Sequence, residues 1–178
     1  MWPHFATHPA SRVAHVARTY AEKSTQEFEI ILAQCLLSAA LIEEPTDKST
    51  KHRYLADADK HLSNALINCR RSTLVMLEPG VLLTLARLRH AQGERAECLK
   101  LTAEALETAK HCGYRLDTAD ICLFLGQIAF SSGLIDDALL HFTEASQQAE
   151  CDGGRHSYSV IARLSIQYII QARQNRKR

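Results

Sequence analysis

The chain has 178 residues, 46% hydrophobic and 23% charged, the balance of a globular protein long enough to bury a core. Its 21 Lys and Arg nearly cancel its 20 Asp and Glu, so no global field draws it to nucleic acid or an anionic surface. Four Pro and seven Gly favour long helices over a turn-rich β architecture. No apolar run reaches the ~20 residues that cross a bilayer. The opening stretch MWPHFATHPASR lacks the basic-then-apolar order of an export signal, so the expected compartment is the cytoplasm.

In chain order, residues 1–25 hold an amphipathic helix at 10–24, ASRVAHVARTYAEKS. Residues 26–69 read as a first helical pair: QEFEIILAQCLLSAALIEE, a polar loop PTDKSTKHR, then LADADKHLSNAL at 55–66. A second pair occupies 79–111 and a third 115–150. Within them PGVLLTLARLRHAQ is closed by Gly93 and TADICLFLGQIAFSS by Gly133, glycines placed to end a helix in the left-handed conformation. Acids then open the following helices at Glu94 and at Asp136 and Asp137, favourable beside a positive helix N-terminus. Gly153-Gly154 reads as a turn, 156–174 as a last helix, and 175–178 as a basic tail.

These segments are self-similar. Ala58, Cys98 and Ala138 are each 40 residues apart, as are Ala65, Ala105 and Ala145, with Leu62, Thr102 and Phe142 between them. A shared period across several registers is the signature of a repeat architecture. The pattern resembles the tetratricopeptide repeat. Residues 119–150 carry it best, through Leu125-Gly126, Ala129, Gly133, Ala138, Phe142 and Ala145. The resemblance implies an all-α fold, an α-solenoid of helix-turn-helix units, in which small residues let two helices approach and Phe142 fills the space beside them. Leu125 is then expected in the core.

Catalytic and cofactor motifs are missing from the sequence. There is no G-x-x-x-x-G-K-S/T loop, no G-x-G-x-x-G, no G-x-S-x-G, no H-E-x-x-H and no EF-hand loop. The six cysteines, at 35, 69, 98, 112, 122 and 151, form no C-x-x-C pair, so reduced, mostly buried thiols are expected in place of a zinc site or a disulfide framework. The expectation is a non-enzyme with no metal and no cofactor. The end RQNRKR lacks the aromatic platform of a single-strand binder and reads as a solvated terminus, so no specific nucleic acid is expected.

What the resemblance implies for function is a peptide or protein partner bound on the concave side, lined by the first helix of each pair. The family's groove offsets fall on Leu83, Arg87 and His90, then on Asp120, Leu123, Gln127 and Phe130, and finally on Arg163 and Gln167. Leu83 and Leu123 fit groove and inter-repeat core equally. Leu83, Arg87, Leu123 and Gln127 do not reproduce the carboxylate clamp that chaperone-tail binders use. Residues 55–162 also resemble the C-terminal tetratricopeptide arrays of bacterial STAND-type NTPases. That likeness implies a second reading, a ligand-sensing part or trans-acting relative of such a regulatory system.

The last helix is apolar over more of its circumference than a solvent-facing cap. Ile161, Leu164 and Tyr168 fit one stripe, and Ile166, Ile169 and Ile170 lie partly off it. The latter three are the expected association surface. This end is expected to dock onto another subunit, a partner or a further helix; two-fold pairing into a homodimer is the simplest form, and an N-terminal segment folding back is the alternative.

Overall fold

The computed structural model describes residues 48–71, 75–150 and 156–175. The expected helices at 10–24 and 26–44, Cys35, Cys151, the Gly153-Gly154 turn and the last three basic residues lie outside them. The described residues form six α-helices and no strand: α1 (Lys48–Arg71), α2 (Glu78–Gln92), α3 (Arg95–His111), α4 (Arg115–Ser131), α5 (Ile135–Gln148) and α6 (Ser157–Asn175). None of these helices is long and apolar enough to cross a membrane. The chain divides into two compact units, residues 1–105 and 106–178, with the boundary inside α3.

In the first unit α1 packs against α2. The buried residues of α1 are Leu55, Ala58, Leu62, Ala65 and Cys69, a stripe at alternating three- and four-residue spacing that lies on one helix face. α2 carries Pro79 in its first turn, where the missing N–H costs nothing. It buries Val81, Leu82, Leu83, Leu85, Ala86 and Leu88, most of its circumference. Arg89 ties the two helices, donating from Nη2 to Asp59 Oδ1 at 2.7 Å. Arg70 at the end of α1 donates to Glu78 Oε1 at 2.7 Å and also pairs with Glu104. The polar residues 48–53, expected in a loop, are the first turns of α1. Polarity alone does not make a loop, and this stretch contains neither Gly nor Pro to break a helix.

In the second unit α5 packs on both α4 and α6, and α4 also touches α6. The core joins Cys122, Leu123 and Ala129 of α4, Ala138, Phe142 and Ala145 of α5, and Ala162 and Ile169 of α6. Gly126 is the point of closest approach: a Cβ there would lie 2.5 Å from Cε1 of Phe142. Leu125, expected in the core, is only half-buried, because its neighbour Gly126 takes the inward position. The ends are pinned by polar contacts. Lys110 Nζ lies 2.6 Å from Glu144 Oε1, and Arg115 Nη2 donates to the Gln147 carbonyl at 2.9 Å.

All nine residues of the three registers at 40-residue spacing are buried. Thr102 stands where Leu62 and Phe142 stand and satisfies its hydroxyl locally, donating to the Cys98 carbonyl at 2.7 Å. Two further registers emerge: Cys69, Ala109 and Ala149 are buried, as are Leu82, Cys122 and Ala162. The helix ends repeat at half that interval. Gly93, Gly113 and Gly133 have φ of 83°, 72° and 77°, and in each case the following N–H bonds back to a carbonyl five residues earlier. That double closure is the Schellman turn, which needs a residue free of a Cβ penalty at positive φ.

Candidate functional site

Function has to be sought among side chains that the fold leaves outside. On α2 of the first unit Arg87 and His90 are exposed, and Leu83 is buried. On α4 of the second unit Asp120 is half-buried, Leu123 is buried, and Gln127 and Phe130 are exposed. On α6 Arg163 and Gln167 are exposed. The two leucines that fitted either groove or core are therefore core.

In the second unit one member of this set, Phe130, meets an aromatic ring of α6 that lies outside the set. Phe130 and Tyr168 meet edge to face, with ring centroids 6.1 Å apart and planes at 70°. The pair joins the end of α4 to the outer face of α6. Edge-to-face contact sets the positive rim of one ring against the negative face of the other and holds both at the surface. Also exposed on these two helices are Gln127 and Gln167, amides that offer donors and acceptors, and Arg163, a five-donor fork suited to carboxylates. Sequence reasoning placed Phe130 in a groove but assigned Tyr168 to a different stripe. The offset that could have joined them is its place 40 residues beyond Ile128, beside Phe130.

The expected association surface at Ile166, Ile169 and Ile170 is divided by the structure. Ile169 is 2% exposed in the core shared with α4 and α5, and Ile166 is half-buried against the same cluster; Ile170 is exposed. The outward stripe is instead Ile161, Leu164 and Tyr168. The physical reason is volume. The side facing α5 carries the small Ser159 and Ala162, which let the helices close, and the bulkier side is left outside.

Electrostatics in this unit oppose ionisation at a half-buried carboxyl and a buried thiol. Burial pushes the Asp117 carboxyl up, and the nearby Asp120 adds to the shift. The Cys122 thiol is pushed up to about 12, chiefly by burial and then by Glu144. An unfolded thiol ionises near 9.0, so the unfolded chain loses this proton first as pH rises. Stability linked to Cys122 is therefore whole below pH about 9 and is lost progressively above it. Urea unfolding at pH about 8 and about 10.5 should show a smaller loss for Cys122→Ala than for the wild type; equal losses would remove Cys122 as a source of the alkaline sensitivity. Cys69 and Cys98 are likewise raised by burial, the condition of structural and not nucleophilic thiols.

Among the described residues, no group of three or more His, Cys, Asp and Glu is placed to hold a metal ion. Comparison of the chain with protein-family models, with curated proteins and with solved structures gives no match.

Proposed function

We propose that this chain is a protein-interaction module of tetratricopeptide-like helical pairs. It binds a peptide or protein partner through exposed and half-buried residues on the first helices of its pairs. These are Arg87 and His90 in the first unit, and Asp120, Gln127, Phe130, Arg163 and Gln167 in the second.

One observation carries the reading. The second unit buries its small and aromatic repeat positions and leaves outside two touching aromatic rings, with exposed amides and a guanidinium on the same two helices. Aromatic residues and Arg are enriched where proteins bind proteins, and a helical scaffold offers them without an ordering cost at binding.

The test is affinity capture from the native source with full-length wild type and with Arg87→Ala/Gln127→Ala, followed by titration calorimetry on the captured partner. The double variant should bind at least about tenfold more weakly, with its melting temperature nearly unchanged, because exposed substitutions change stability by only about 0.5 kcal/mol. Normal binding by the double variant would move the site off these helices.

A further inference from the structure

We draw no further inference here: the strongest candidate, the outward apolar stripe of α6 formed by Ile161, Leu164 and Tyr168 beside Phe130, is an unpartnered helix face, and nothing in the structure shows what covers it.

Discussion

Phe142→Ala should destabilise the protein by about 3–5 kcal/mol in urea unfolding, the largest effect expected of any single truncation in the second unit. The ring sits 3% exposed in the core that joins α4, α5 and α6, and it covers Gly126, Cys122 and Ala129 from one side. Removing it leaves a cavity beside Gly126, which has no side chain to fill the space. Leu140→Ala is the control on the same helix: Leu140 is 67% exposed, and its loss should cost about 0.5 kcal/mol or less. Equal effects of the two variants would mean that α5 does not present Phe142 to the core.

The second large effect is Gly126→Ala, where two principles conflict. Helix propensity favours Ala over Gly by about 1 kcal/mol in a helix interior. The added methyl, however, would lie 2.5, 2.7 and 2.9 Å from three atoms of the Phe142 ring, closer than any carbon tolerates. Overpacking should win, with a net destabilisation of about 1–3 kcal/mol. The cause is checked in the Phe142→Leu background, where the ring is gone. There the same substitution should be neutral or stabilising, a coupling of about 0.5–3 kcal/mol between the sites. Additive effects would show that the close approach of α4 and α5 is not what keeps position 126 a glycine.

Much of the helical organisation was legible because small residues at fixed spacing have few uses besides letting helices approach. Ala58, Ala65, Ala105, Ala138 and Ala145 are all buried, and Gly93 and Gly133 end their helices in the left-handed conformation. Gly113 does the same in the second unit, and the 20-residue spacing of the three glycines was there to be read. The beginning of α1 was not legible, since Lys, Ser, Thr, His and Arg carry no signal separating an exposed helical turn from a loop. Nor was the facing of α6. When apolar side chains occupy both sides of a helix, periodicity cannot choose between them, and the choice falls to volume at Ser159 and Ala162. The candidate site was legible in part: Gln127, Phe130, Arg163 and Gln167 are exposed where the repeat offsets placed them, whereas the contact of Phe130 with Tyr168 depends on how α4 and α6 meet.

The measurement that tests the binding face most directly is amide hydrogen exchange on the full chain, with and without the partner captured by wild type. Binding through the first helices should slow exchange in the last turns of α4, around Gln127 to Ser131, and along α6 from Val160 to Gln171. Slowed exchange confined to α1, α3 and α5, with α4 and α6 unchanged, would contradict it.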